Sequence, residues 1–530
     1  MTRKYFFKKT ISYLVGAKIL SSEKMQAIKI LEKQESIDNL FFADFHVHAT
    51  LKAFSSDVIK SPWLKITHDC SDNIAKWLIK FVKELPKNSQ SNYEALIKGN
   101  VRLACISLLP IEKKMILPKF IEDRKKSDTC ACISGINKQY NYEKLYTEEI
   151  DYFEDLTKHI DYLLSYENLI HHIEGKDFTY TIPKNGEELK GFLLNKNKLV
   201  IVVTIEGGHS LGNSIEIKDT SESEEFRQKV MKNIKKLKGI IPLHDNIPKS
   251  ILELPILSIG LNHFFWNGFS GHAKTLDDKQ SLLMSQKKHL DESITILGKE
   301  VVVNLLDKKK GRRILIDIKH MSLSTRKWYY NFIIERKKMG DDIPIICTHT
   351  GIAGLSWYDE EYLKNDNSNK IKSSFLNTWT INLSNQDIIE IYNSKGIIGI
   401  QLDKNKICGG GFFKLTSNSN LSNKENYIKI IVANILSIVK AVNKQNVWDM
   451  ICIGSDYDGL ITPFEIYPTS AEFGLLYEDL LNFFCYPTSI FNLFSLDEVK
   501  QLMFGFNADY IVKKIISNNL TTFLVNNLGS

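Results

Sequence analysis

From Leu40 onward the chain alternates short apolar, β-branched runs with stretches of helical periodicity. The runs at 41–47, 101–109, 199–205, 255–262, 313–319, 343–348, 396–402 and 449–455 read as strands buried on both faces. Between them, 222–238, 324–338, 384–394 and 424–443 carry the three-and-four spacing of amphipathic helices. Alternating strands and helices predict an α/β fold with a parallel sheet, and eight strands is the number that closes a (β/α)8, TIM-like barrel. Four stretches are surplus to a minimal barrel, 50–98, 111–196, 358–380 and 404–423, and are expected as helical and loop insertions. The second, rich in Tyr, Glu and Lys, is expected to form a helical cap beside the barrel mouth. The expected organisation is a helical lead-in over 1–39, a barrel with insertions over 40–515, and a tail over 516–530.

How the runs end changes the picture more than how they begin. LVIVVTIEGGHSLG (199–212) stops at a carboxylate, Glu206, followed by two glycines and a histidine. A buried parallel strand delivers such an acid to the C-terminal edge of its sheet, although a strand ending in a helix-capping acid would look the same. Repetition separates the two. FFADFHVH ends at His46 and His48, ILSIGLNH at His263, ILIDIKH at His320, IPIICTH at His349 and MICIGSD at Asp456. In a barrel all of these lie at the C-terminal rim, where active sites of this fold are built. His46 and His48, two apart on a strand, face the same way and can reach one metal ion. Glu206 has two oxygens and can bridge two cations; His320 and His349, from adjacent strands, would complete a second metal, while Asp456 would close the first and face substrate. Mixed nitrogen and oxygen ligands suit two divalent ions, zinc before manganese, iron or cobalt, holding a shared water and supplying hydroxide at neutral pH. Any one of these histidines could instead be a hydrogen-bonded core residue; their succession at strand ends argues against it.

Composition narrows the partners. At 530 residues and 43% apolar content the chain can bury a large core and exceeds the roughly 250 residues of a bare barrel. Its net charge of +7 comes from 69 basic and 62 acidic residues with the lysines scattered, which describes a solvated surface rather than a nucleic-acid footprint. A small-molecule substrate is expected, and a homodimer is compatible with this surface. The eight cysteines lack the spacing of a disulfide framework, so free thiols in a reducing compartment, the cytoplasm, are expected, with an exported form as the alternative. Cys130 and Cys132 form a CxC with no second pair at zinc-site spacing. The N-terminal segment has a basic start and an apolar stretch broken by Lys18, which predicts an amphipathic helix rather than a signal peptide, and no transmembrane candidate follows. CGGGFF (408–413) is expected as a flexible loop.

Taken in order, the HxH, IEGGHSL, GLNHFFWN, GRRILIDIKHMS, PIICTHTGIAG and GSDYDG segments resemble the membrane dipeptidase (renal dipeptidase) family of the amidohydrolase superfamily, from about Leu40 to Asp509. The resemblance implies a binuclear zinc (β/α)8 hydrolase that cleaves dipeptides. By motif match His46 and His48 would bind the first metal, Glu206 would bridge, and His320 and His349 would bind the second. His263 would contact the scissile carbonyl and stabilise the tetrahedral intermediate, and Asp456 would carry the proton from the bridging water to the leaving amine, with Asp458 the next acid in line. The chain departs from the family twice. The family has HxD where this chain has His48, a change that should preserve metal binding. Where the family places an arginine for the substrate carboxylate, WTINLSNQDI has Ile381, and no arginine follows Arg336. Unless a lysine such as Lys372 takes over, substrates lacking that carboxylate are expected to react better than simple dipeptides. The expected function is metal-dependent hydrolysis of a dipeptide or related small amide. Another amidohydrolase reaction, hydrolysis of a lactone or ester or a deamination, and a non-catalytic barrel are the alternatives.

Overall fold

A computed structural model describes residues 40–529 apart from 57–59, 68–87, 117–133, 137, 216–217, 244–253, 277–280, 282–283, 366–373 and 418–422. The expected helix over 1–39, Lys372, Cys130 and Cys132 lie outside the described residues. Eight parallel strands form a closed barrel: β1 (Phe42–Val47), β2 (Val101–Leu108), β5 (Lys198–Ile205), β6 (Ile256–Gly260), β7 (Leu315–Asp317), β8 (Ile346–Thr350), β9 (Ile397–Ile400) and β10 (Ile451–Ile453). The neighbours run β2-β1-β10-β9-β8-β7-β6-β5, and β5 returns to β2 in an unbroken register from Leu103↔Val200 to Leu108↔Ile205. Each expected strand is present, because runs such as VRLACISL and KLVIVVTI can be buried on both faces only in a sheet covered by helices.

The helices that follow β5 to β9 are α1 (Glu224–Leu237), α2 (Ile296–Leu306), α3 (Leu323–Lys338), α4 (Asn385–Asn393) and α5 (Lys424–Val442). Four of them start at a hydroxyl that accepts from the backbone N–H three residues on: Ser223 for α1, Thr295 for α2, Ser322 for α3 and Ser384 for α4. A buried pair fastens α3 to α4. Arg326 donates to both oxygens of Asp387 (3.0 and 3.2 Å), and Tyr330 donates a further bond to the same carboxylate.

Three parts of the chain differ from expectation, the first being CGGGFF, expected as a flexible loop, whose Gly410 opens the helix Gly410–Ser417. The 111–196 insertion holds helices, including Tyr152–Ser165, but also strands β3 (His171–Ile173) and β4 (Lys176–Thr181). β4 runs parallel to the start of β5, from Thr179↔Lys198 to Thr181↔Val200. β6 pairs with β5 only from Val203 onward, so the backbone of Lys198–Val200 is an open edge that the alternating KDFTYT can occupy. Residues 516–530, expected as a tail, instead continue a π-helical turn into the helix Asn519–Asn527. Its Leu520, Phe523 and Leu524 are buried, Phe523 packs edge-on against Phe45 of β1, and Asn519 Nδ2 donates to the carbonyls of Trp448 and Ile451 at the start of β10. Cys105, Cys347 and Cys452 are free and buried, as their strand positions predict, and Cys408 is buried as well. Among the described residues no helix is long and apolar enough to cross a membrane.

Candidate metal centre

The barrel gathers the residues at its strand ends into one buried site. Alternation along β1 turns Asp44, His46 and His48 inward, and places the Nε2 atoms of the two histidines 3.2 Å apart. Glu206, one residue beyond β5, lies between them and the opposite wall. Its Oε2 is 2.9 Å from His48 Nε2 and 3.8 Å from both His46 and His263 Nε2, while Oε1 is 3.3 Å from His320 Nε2 and 3.4 Å from His349 Nε2. Asp456 Oδ1 faces His48 (3.6 Å) and His46 (3.9 Å), and Oδ2 faces His349 (4.0 Å). Three sets of ligand atoms are compact enough to hold an ion: His46, His48 and Asp456; His46, Glu206 and His349; and Glu206, His263 and His320. The first matches the expected grouping around one metal. The other two share Glu206, one with His46 and His349 and one with His263 and His320, while the Nε2 atoms of His320 and His349 both face Glu206 Oε1.

Hydrogen bonds on the far side of each ring decide which nitrogen faces inward. His48 Nδ1 lies 3.0 Å from the Ser107 carbonyl, which can only accept, so that nitrogen carries the proton. Thr348 has one hydroxyl proton, which it donates to Asp317; its oxygen then accepts from His46 Nδ1 (2.9 Å) and His349 Nδ1 (3.1 Å). Thr275 donates to the Ala273 carbonyl (3.3 Å) and faces His320 Nδ1 at 3.4 Å. His263 Nδ1 donates to Glu112 at 2.5 Å. In the neutral state every Nδ1 holds the proton and every Nε2 presents a lone pair to the centre, the tautomer a metal ligand needs. Two such lone pairs 3.2 Å apart, on His46 and His48, repel each other and are stabilised by a cation between them. The donor set therefore fits divalent metal.

Electrostatics favour the neutral form at His46, His320 and His349, while at His48 and His263 burial is outweighed by the facing carboxylates, which raise the pKa. Burial lowers the pKa of His46 from 6.5 to about 4 and that of His320 to about 3, so both are neutral near pH 7. Burial raises Glu206, but the facing His263 and His46 outweigh it and hold its carboxyl well below the ordinary value. Asp456 moves the other way, raised well above the carboxylate range by burial and by the neighbouring Glu206. Three residues here, His320, Asp456 and Asp458, adopt φ of 66°, 63° and 66°, the left-handed region that is uncommon for non-glycine residues. Gly459 leaves room for the acid, since a Cβ there would lie 2.0 Å from Asp456 Oδ1.

Several residues of the site were not anticipated. Thr348 and Asp317 brace two ligands, Glu112 braces His263, and Gln401 Nε2 donates to Asp456 Oδ2 at 2.6 Å. Lys319 is buried beside the ligands, its Nζ makes no hydrogen bond among the described residues, and burial lowers its pKa. Thr348 and Lys319 adjoin His349 and His320 in sequence, which is the one signal that could have marked them. Asp458 is committed elsewhere: it pairs with Lys52 at 2.7 Å and accepts from Gln90 N, Ser91 N and Ser91 Oγ. Ile381 is packed in the core with Ala273 and Trp379. Arg326 donates to the carbonyl of neighbouring Thr380, but its guanidinium is held by Asp387.

No family model and no curated protein sequence matches the chain. Solved structures with a similar fold exist. A metallopeptidase from Rhodobacter sphaeroides, crystallised with a phosphinate mimic of the dipeptide L-Ala-D-Ala, shares 11% identity over 92% of this chain and 99% of its own, with a TM-score of 0.48. The probable dipeptidase PvdM from Pseudomonas aeruginosa shares 11% over 83% of this chain and 89% of its own, with a TM-score of 0.40. An amidohydrolase from Pseudomonas aeruginosa shares 12% over 83% and 92%, with a TM-score of 0.41.

Proposed function

We propose that the protein is a metal-dependent hydrolase, dipeptidase-like, that cleaves a dipeptide or related small amide. The observation that carries this is the convergence of five histidine Nε2 atoms on two carboxylates, with each Nδ1 facing an acceptor behind it. His46, His48, Glu206, His320, His349 and Asp456 would hold two divalent ions, zinc by donor type, with Glu206 between them. When bound, such ions lower the pKa of water and polarise a carbonyl oxygen. The remaining chemistry belongs to side chains. Gln401 fixes Asp456 through Oδ2, and a carboxyl whose pKa is raised by burial can take a proton from the attacking water and return it to the leaving amine. Burial disfavours a charged His263, but Glu112 and Glu206 outweigh it and raise its pKa; the imidazolium, held at Nδ1 by Glu112, would donate from Nε2 to the carbonyl oxygen as charge develops there.

A second reading concerns the substrate. With Ile381 in an apolar cluster and Arg326 held by Asp387, neither supplies a cation for a free carboxylate, which favours amides or esters of acylated amino acids, or a lactone. Elemental analysis of the purified chain, joined to hydrolysis of Gly- and Ala-based dipeptides beside their C-terminal amides and a lactone panel, tests both. Two equivalents of metal and chelator-sensitive amide hydrolysis are expected. A chain that binds no metal refutes the proposal, and a clear preference for the free acid refutes the second reading.

A further inference from the structure

We propose that Glu112 is a positioning residue for His263: it selects which edge of the imidazole faces Glu206. This rests on the catalytic part assigned to His263 above. Glu112 sits three residues past Leu109, at the start of the 111–196 insertion, and is buried. Both oxygens of its carboxylate are engaged. Oε2 accepts from His263 Nδ1 at 2.5 Å and from Phe264 N at 3.3 Å, and Oε1 accepts from Phe265 N at 3.1 Å. One side chain from beyond β2 thereby holds the turn that follows β6.

The neighbouring contacts leave a gap that only Glu112 fills. Phe264 lies against His263 with ring centroids 4.1 Å apart and planes 12° from parallel, which fixes the plane of the imidazole. Stacking is indifferent to a half-turn about χ2, and that torsion is soft for histidine. A ring held by packing alone would also populate the flipped state, turning a carbon instead of Nε2 towards Glu206. The directional bond to Glu112 removes this degeneracy, because only one orientation presents Nδ1–H to a carboxylate and leaves Nε2 at 3.8 Å from Glu206 Oε2. The insertion is tied in at the same point: Lys113 N donates to Tyr152 Oη at 2.6 Å, joining the next residue to the helix Tyr152–Ser165.

The test uses the metal-loaded full chain with Glu112→Gln, His263→Ala and the double variant, reading zinc content, kcat and KM, and the imidazole N–H proton spectrum. A short Nδ1–H···carboxylate bond gives a far-downfield proton resonance, expected in the parent and absent from both single variants. Glu112→Gln is expected to keep its zinc and to lose kcat by about 10- to 100-fold with little change in KM. Added to His263→Ala it should cost nothing more, since Glu112 acts only through that ring. An equal further loss in the His263→Ala background, an unchanged kcat in Glu112→Gln, or loss of zinc from it would overturn the proposal. If no substrate is turned over, the hydrolase reading fails while the resonance still decides this one: its absence from the parent refutes it. Should Glu112→Gln not fold, Glu112→Asp, which withdraws the carboxylate by one methylene, gives the same readouts.

Discussion

Thr348 makes the sharpest prediction because one hydroxyl serves three partners. Thr348→Val preserves shape and removes only the oxygen that Asp317, His46 Nδ1 and His349 Nδ1 share. Asp317 loses the hydroxyl from Oδ2 but keeps two donors on Oδ1, Lys319 N at 3.0 Å and Thr348 N at 3.2 Å, so the carboxylate retains partners. The two imidazoles do not. Each must leave a buried N–H without an acceptor, at about 1–3 kcal/mol, or move its proton to Nε2 and lose the lone pair that faces the centre. With two ligands affected at about 10- to 100-fold each, metal affinity should fall by roughly 10² to 10⁴. The assay is competition with a chromophoric chelator, alongside thermal unfolding with and without metal. Thr348→Ser, which keeps the oxygen, should behave as the parent. Thr348→Val binding metal as tightly as the parent would refute the claim that this hydroxyl sets the two tautomers.

Four further outcomes are expected. Glu206→Gln should lose at least one metal by elemental analysis, since a neutral amide cannot offset two cations; full retention of metal and activity would remove the binuclear reading. Asp456→Asn should keep much of its metal yet lose roughly 10² to 10⁴ in turnover, because the amide cannot carry a proton; near-normal turnover would reassign the acid, and not to Asp458, which is bound to Lys52. Gly459→Ala should displace the Asp456 carboxylate, given a Cβ 2.0 Å from Oδ1, and reduce kcat more than it lowers Tm, with a crystal structure showing where the acid has moved. His159 is buried on Phe54 and bonded to Thr50 Oγ1 at 2.8 Å, and burial lowers its pKa from 6.5 to about 3. The unfolded chain therefore takes up this proton first on acidification. Stability present above pH ~6.5 is lost as pH falls towards ~3, and His159→Gln should flatten that limb in urea titrations. An unchanged limb would place its origin elsewhere.

The eight barrel strands and the seven residues at their ends were legible from the sequence for a common reason. A doubly buried strand must be apolar throughout, and the period of two decides from local sequence alone that His46 and His48 share a face. Where a strand stops, a polar side chain at its end has one place to go, the barrel rim. The tertiary structure decided what local pattern does not encode. Closure of β5 onto β2 determines which strand ends meet, and so brings His320 and His349 to one oxygen of Glu206 and His46, His48 and His263 to the other. The open edge of β5 turned part of an expected helical cap into β4, and the apolar residues of 519–527 found a groove beside β1 and β10 that no local signal announces. Glu112 meets a histidine 151 residues away, and Thr348 mediates between strands far apart in sequence. Such bonds form because a buried N–H requires an acceptor wherever the fold supplies one, and only the folded chain says which acceptor that is.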